Sequence, residues 1–481
     1  MLKRITALCL SALLLFGCSI GVCAEDAVQY RITNPYEGVT QYLGDDAHHY
    51  KTDLHCHCTI SDANEDYADM IKAHYLAGYD IVGFADHGVL GRYWNEEPQH
   101  RVLFAYQYIV GKKVTKLTDE EYKAITNGTY QLTDAEYSTI TAGAPLLTRD
   151  LRTENRGMQC VPQGIELNNI TMTKCHVNGY FCDFDDNGGG RENGFEYAVK
   201  NVDKAGGISV INHPGDWMDS KYNRAAVHDF ENIRLFGDIL NQYKTCQGIE
   251  VLNNVDSVTR YDREFWDELL QYVIPRGERN VFGFGNTDAH EFDEIDSSFM
   301  DFILPEYSLE NVKSTMQTGN FFAVGRRART EQELWDAERN DSYRAPDGTP
   351  YPTVTSIVVD DENDVITVTA KNADKIDWIA NGSIIASSTD KTPDGQITAT
   401  LYLGEHSDEI TCYVRFQAIG KGGICLSQAF ICDDGDMARF VEEDDRTPFQ
   451  ITMSKILYAL KSTRFYVLIQ EAVRAIKKEL S

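Results

Sequence analysis

Between residues 55 and 290, nine side chains of the kinds that hold divalent metals fall in short motifs. They are His55 and His57 in DLHCHC, Asp62 in SDA, His87 in ADHG, Glu166 in GIELNN, His176 in KCHVNGY, His213 in NHPGDW, and Asp288 with His290 in NTDAHE. Imidazole nitrogens and carboxylate oxygens are the ligands of ions that drive hydrolysis, and nine of them suffice for more than one ion. An HxH pair on a strand turns both rings to one face, because side chains alternate along a strand, and the closing DxH repeats that geometry. The same alternation turns Cys56 and Cys58 away, as small buried apolar residues rather than ligands. A lone histidine is more often surface or satisfied core, and His48, His49, His74, His100, His228 and His406 are read that way. Asp86, beside His87, is expected to orient a ligand rather than to be one.

These motifs end short β-like runs: YKTDLHCH, DIVGFADH, PQGIELNN, KCHVNGYF, GISVINHP, QGIEVLNN and NVFGFGNTDAH. Between them lie amphipathic stretches such as YADMIKAHYLAGY, GFEYAVKNVDKAGG, DREFWDELLQYVIPRG and SLENVKSTMQTG, several with glycine just past the end as a helix stop. This is the pattern of repeated βα units over residues 53–330, and a β/α barrel gathers residues from its strand C-termini at one mouth. Residues 92–160 break the rhythm and are expected to be an insertion capping that mouth. Arg92, Arg101, Arg152 and Arg156 within it are candidates for holding a substrate anion, although a solvated helix face explains them equally well. Residues 25–52 read as an N-terminal extension and 331–352 as a linker. Alternating runs with turn residues over 353–434 predict a small Ig-like β-sandwich. Residues 435–481 form an amphipathic helical tail whose basic residues are Lys455, Lys461, Arg464, Arg474, Lys477 and Lys478. Such a tail either lies on an anionic membrane surface or, more simply, docks on an acidic face of its own chain. Asp183, Asp185, Asn187 and Gly188 begin like a calcium loop, but Gly194 stands where its bidentate glutamate belongs, so a glycine-rich surface loop is the better reading.

Taken in order, HxH, SDA, DHG, the glutamate of GIE, the later histidine, NHP and TDAH resemble the motifs of the polymerase and histidinol phosphatase (PHP) family, over a stretch from Asp53 to Gly325. The resemblance implies a distorted (β/α)7 barrel, a site of three divalent ions (manganese, iron or zinc) and hydrolysis of phosphoesters. It implies that His55, His57, Glu166 and Asp288 hold one ion, with Glu166 bridging to a second, and that Asp62, His87, His176, His213 and His290 complete the other two sites. Hydroxide bridging two ions would attack phosphorus in line. Glu166, His213 and Asp288 are then the residues assigned to the chemistry, the last two as candidates for protonating the leaving group. Asp62 stands where many family members have histidine, which keeps an anionic ligand but bears on metal preference. The insertion and the sandwich lie outside the common core, so the resemblance implies chemistry and leaves substrate-binding residues unassigned.

The chain's net charge of −29 opposes stable binding of long nucleic acids, whose affinity rests on basic contacts to phosphates. A small phosphorylated substrate is expected instead. Residues 1–24, with Lys3 and Arg4, an apolar run from Ile5 to Phe16 and small residues before Glu25, have the layout of a secretory signal. That run falls short of the roughly 20 apolar residues a membrane span needs, so a secreted or cell-surface protein is expected. Cleavage after Ala24 competes with a lipoprotein-like box ending at Cys18, which would add a lipid anchor; peripheral membrane contact would come from that lipid or from the tail. Three of the 12 cysteines lie in this leader, and the other nine are too few for a disulfide scaffold, although Cys412, Cys425 and Cys432 are close enough to pair across strands. Neither a GxSxG elbow nor a phosphate-binding loop is present. Two rivals to a phosphoesterase stand: a hydrolase using the same metals on another bond, and a surface binding protein on the same barrel. Bound metal with turnover separates them.

Overall fold

The computed structural model describes residues 28–97, 113–144, 147, 156–168, 173–185, 194–254, 259–327, 329, 344–345, 348–441 and 443–480. The leader with Cys18, His100, Arg101, Arg152, Asn187, Gly188, most of the expected linker and the side chains of Lys477 and Lys478 lie outside the described residues.

The chain is a mixed α/β structure. Its strands are β1 (Arg31–Thr33), β2 (His49–Asp53), β3 (Ile81–Val82), β4 (Gln159–Cys160), β5 (Ile165–Leu167), β6 (Val177–Tyr180), β7 (Ile208–Ile211), β8 (Cys246–Asn253), β9 (Phe282–Asn286), β10 (Ser298–Ile303) and β11 (Phe321–Gly325), followed by β12 (Thr353–Asp360), β13 (Val365–Lys371), β14 (Lys375–Ala380), β15 (Ser383–Ser388), β16 (Ile397–Tyr402), β17 (Tyr413–Gly420), β18 (Gly423–Leu426) and β19 (Phe430–Asp433). The seven motif-bearing runs supply β2, β3 and β5 to β9. The four amphipathic stretches form the helices Tyr67–Leu76, Phe195–Lys204, Asp262–Gly277 and Leu309–Thr318, the last capped by Ser308 and closed by Gly319 in the left-handed region.

One sheet runs β5-β6-β7-β8-β9. Its last two pairings are parallel, but β5–β6 and β6–β7 are antiparallel, which departs from the regular βα repeat read from the sequence. Residues 168–176 are too few for the crossover of about a dozen residues that parallel pairing demands, so β6 must return beside β5. A larger sheet contains the order β1-β19-β17-β18-β11-β10-β2-β3-β4. Two isolated parallel bridges, His87 to Glu166 and Cys56 to Ala289, tie the edges of the first sheet to the region of β2 and β3. Gly248 permits close approach within the first sheet, since a Cβ there would stand 1.9 Å from the Phe282 carbonyl oxygen.

The C-terminal strands do not form a self-contained sandwich. β12, β13 and β16 make a three-stranded sheet, whereas β18 pairs with β11 and β19 with β1. Tyr36 stacks on Phe322 at 4.6 Å, and its hydroxyl donates to the Phe321 carbonyl while accepting from the Gln428 amide. Asp267, on the helix Asp262–Gly277, receives a bidentate pair from Arg415 of β17 at 2.6 and 2.7 Å and a bond from the Tyr413 hydroxyl. Cys412, Cys425 and Cys432 are free and buried: the register sets Ala418 opposite Cys425, while Cys432 lies across from Cys412, its N–H donating to the Cys412 carbonyl at 2.9 Å, with both thiols reduced.

Candidate metal centre

The nine side chains picked from the sequence converge, and Glu166 is their hub. It lies on β5, fully buried, and His55, His57, His87, His176 and His213 each place a ring nitrogen within 3.4 Å of one of its oxygens. His55 and His57 follow β2 and turn their Nε2 atoms toward each other at 3.1 Å, with Asp288 Oδ1 at 3.2 and 3.0 Å from them. Asp62 reaches His87 and His290 at 3.4 Å each. His176 and His213 approach at 3.4 Å. Three groups result in which one donor atom per residue lies within 4.8 Å of the others: His55, His57 and Asp288; His57, Asp62, His87 and His290; and Glu166, His176 and His213.

Backbone ties hold these loops in register. Asp288 N donates to the His55 carbonyl at 2.7 Å, and His57 N to Ala289 O at 3.0 Å. Asp53 accepts from His55 N and from the Thr287 hydroxyl, which locks the HxH and DxH segments together. His213 and Asp288 turn inward with φ of 26° and 48°, conformations that non-glycine residues hold only where surrounding contacts enforce them.

A ring of supporting groups surrounds the cluster. Asp86, picked as an orienting residue, accepts from the backbone of Cys58 and Ser61 and from the Ser61 hydroxyl at 2.6 Å, and that hydroxyl lies 3.3 Å from His57 Nδ1. Two supports were not picked from the sequence. Glu250 on β8 meets His55 Nδ1 at 2.7 Å, and its QGIEVLNN run repeats the GIE of Glu166, a signal that could have found it. Asn212, in the NHP motif, donates to Glu166 Oε1 and to Asn178 at 2.8 Å each.

The charges are unbalanced without cations. Burial opposes protonation of His87, yet Glu166 and Asp62 raise its pKa to about 10. His213 is likewise carried against burial to about 10 by Glu166 and Asp288, and His290 to about 9 by Asp62 and Asp288. His55 rises well above its ordinary value as Glu250, Asp288 and Glu166 overcome its burial. His57 moves the other way, lowered by burial and by the positive charge of His290 and His87. Carboxylates crowded at this density draw in positive charge, and protons take the place where ions would serve. Glu166 Oε2 and His87 Nδ1 are buried and meet as an ion pair at 2.6 Å, in a geometry that makes no regular hydrogen bond. A divalent ion would satisfy such ligand atoms at once, so the residues fit a metal centre by the chemistry of their donor set.

The cluster opens into a cavity of about 380 Å³ lined by Asp62, His87, Glu166, His176, His213, Asp288 and His290 together with Thr173, Lys174, Asp216, Asn253, Thr259, Val467 and Glu471. No described residue of 92–160 lines it, so the expected capping role finds no support there. Arg156 instead packs over Tyr50 at 3.9 Å and binds the His49 carbonyl. Lys174, paired with Asp216 at 2.5 Å, is the lysine among the described wall residues, and the tail helix supplies Val467 and Glu471. The other described histidines have local partners, as His49 does in Asp301 and His228 in Glu264 and Glu268. Asp53, Cys56 and His74 also cluster, but both His74 nitrogens are engaged, by Met70 O and Asp53.

No family model matches the chain, and no curated protein does. Among solved structures it is similar to a two-domain protein from Bacteroides vulgatus containing a predicted PHP-like metal-dependent phosphoesterase, with 13% identity, 84% of this chain and 90% of that one covered, and a TM-score of 0.36. It is also similar to PsfC from Pseudomonas syringae, with 16% identity, 55% and 88% coverage and a TM-score of 0.30.

Proposed function

We propose that the protein is an exported metal-dependent phosphoesterase whose ions, three in number and drawn from manganese, iron or zinc, are held by the nine clustered side chains. The observation that carries this reading is the convergence of three donor groups on buried Glu166. The two isolated bridges that join the motif-bearing strands into a ring support a distorted seven-stranded barrel as the scaffold. We assign His55, His57 and Asp288 to one ion, Asp62, His87 and His290 to a second, and His176 and His213 to a third, with Glu166 shared.

When bound, the ions supply a deprotonated water and positive charge for the phosphoryl oxygens. The chain does the rest. Glu250 holds His55 with Nδ1 protonated and Nε2 free as a ligand, and Asp86 acts on His57 through Ser61. Asn212 fixes the plane of the Glu166 carboxylate. Lys174 on the cavity wall offers an ammonium to a phosphate oxygen, exchanging its bond to Asp216. His213 and Asp288, the candidates for protonating the leaving oxygen, both line the cavity. As ligands, however, neither would carry a proton to give, and against its burial the neighbouring histidines His55 and His57 hold Asp288 ionised, so the leaving oxygen takes its proton from water in the cavity.

The test is hydrolysis of an aryl phosphate and of the matching bis-aryl phosphodiester by residues 25–481 with added manganese, iron(II) or zinc, beside a His55→Ala, His57→Ala double variant. Turnover that needs metal and is lost in the variant supports the reading and ranks the two ester classes. A folded protein that binds less than one ion per chain and turns over neither ester overturns it in favour of a binding protein.

A further inference from the structure

Among the described residues, the two tail helices, Pro448–Lys461 and Arg464–Leu480, are held to the protein along one side. On that side Tyr458 packs against Trp217 with ring centroids 5.9 Å apart, Ser462 is buried beside Cys175 Sγ, and Arg474 pairs with Asp219 at 2.5 Å. On the other side Phe449, Ile456 and Leu460 of the first helix and Phe465, Leu468 and Ile476 of the second stand 46 to 74% exposed. Their separations of three, four, seven, eight and eleven residues place each set on one helical face. Of the 17 exposed large apolar residues among the described ones, ten belong to these two helices. Single exposed apolar side chains need no explanation, but a concentration of this kind marks a surface that meets something apolar.

Charge chooses the occupant. The chain carries −29 overall, yet from Pro448 onward six lysines and arginines stand against two glutamates. Lys455 and Arg464 flank the apolar faces and are exposed. A second copy of the same surface would bring like charges together, whereas an anionic bilayer answers both the apolar face and the basic flank. The second helix also supplies Val467 and Glu471 to the wall of the metal cavity, and a helix is only about 10–12 Å across.

We propose that the paired tail helices seat the protein on an anionic lipid surface, apolar faces buried among the acyl chains, and thereby hold the metal cavity within one helix width of the headgroups. The docking stands independently of the phosphoesterase reading, since it requires neither ions nor turnover.

The experiment is flotation of residues 25–481, which contain every described element and lack Cys18, with vesicles of phosphatidylcholine alone or of equal parts phosphatidylcholine and phosphatidylglycerol. The protein is expected to float with the anionic vesicles and far less with the neutral ones. Leu468→Glu with Ile476→Glu is expected to lower partitioning by about tenfold or more. Lys455→Glu with Arg464→Glu leaves the apolar face intact and is expected to weaken binding to the anionic vesicles alone. Unchanged flotation in both double variants, or no flotation of the parent protein with either vesicle, overturns the proposal. A concentration-dependent dimer that disappears in the first variant, with vesicles ignored, overturns it in favour of a second copy.

Discussion

Glu250→Gln removes one negative charge from behind His55 while keeping the side chain's shape. Glu250 is fully buried and accepts from His55 Nδ1 at 2.7 Å, Asn286 Nδ2 at 2.9 Å and Asn253 Nδ2 at 2.8 Å. In the variant one oxygen retains His55 and Asn286, but the new amide nitrogen meets the Asn253 nitrogen donor to donor. An unsatisfied buried donor costs about 1–3 kcal/mol, a cost relieved if the Asn253 amide flips. The charge itself has no substitute. Partners that orient a ligating histidine contribute about 10–100-fold in metal affinity, or roughly 1.4–2.7 kcal/mol. Competition against a chromogenic zinc chelator measures that affinity, and thermal unfolding of the chelated protein separates the stability cost. A 10–100-fold loss confined to one of the bound ions is expected on this basis. A folded variant whose affinity stays within about twofold of the parent would refute the idea that Glu250 sets the basicity of His55.

Glu166→Ala removes the anion shared by five imidazoles, and metal analysis of the purified variant is expected to find fewer ions per chain than the parent retains; an unchanged ion count contradicts the hub role. In the metal-free protein His87 and His213 have pKa values of about 10 and His290 of about 9, against about 6.5 unfolded. Their stabilisation is therefore complete below about pH 6.5 and lost as pH rises toward 9 and 10, so the melting temperature of the chelated protein should fall over that window, and a rise contradicts the assignment. Ions must displace the same protons, so zinc added at neutral pH in weak buffer should acidify the solution, as an indicator dye reads. Asp267→Asn leaves Arg415, only 3% exposed, without its charge partner; urea unfolding should show a loss of about 3–5 kcal/mol, and a much smaller loss would mean that the Arg415 ion pair adds little to the contact between β17 and the helix Asp262–Gly277.

Membership of the cluster was legible because metal ligands advertise themselves by residue type, by alternation on strands and by position at strand ends. His55, His57, Glu166 and Asp288 could be named without knowing how their strands pair. Glu250 and Asn212 were not legible in the same way, since a buried carboxylate and amide become supports only once β8 and β7 lie beside the HxH strand, and that adjacency is tertiary. The antiparallel return of β6 was hidden because strand direction depends on connection length rather than on the apolar run itself. The C-terminal strands showed their alternation plainly, but their pairing with β11 and β1 bridges chain segments far apart, and no local pattern encodes it. The tail's one-sided docking follows the same rule: amphipathicity was visible, whereas which stripe meets Trp217 and which remains exposed depends on the surface it meets.

The central claim is that the nine side chains hold ions and not merely protons. Anomalous diffraction from crystals grown with manganese tests it most directly. Three peaks are predicted, within about 2.0–2.3 Å of donor atoms, one among His55, His57 and Asp288, one among Asp62, His87 and His290, and one among Glu166, His176 and His213. Crystals that show no peak in the cluster at saturating manganese, with the imidazoles and carboxylates paired to each other instead, would contradict it.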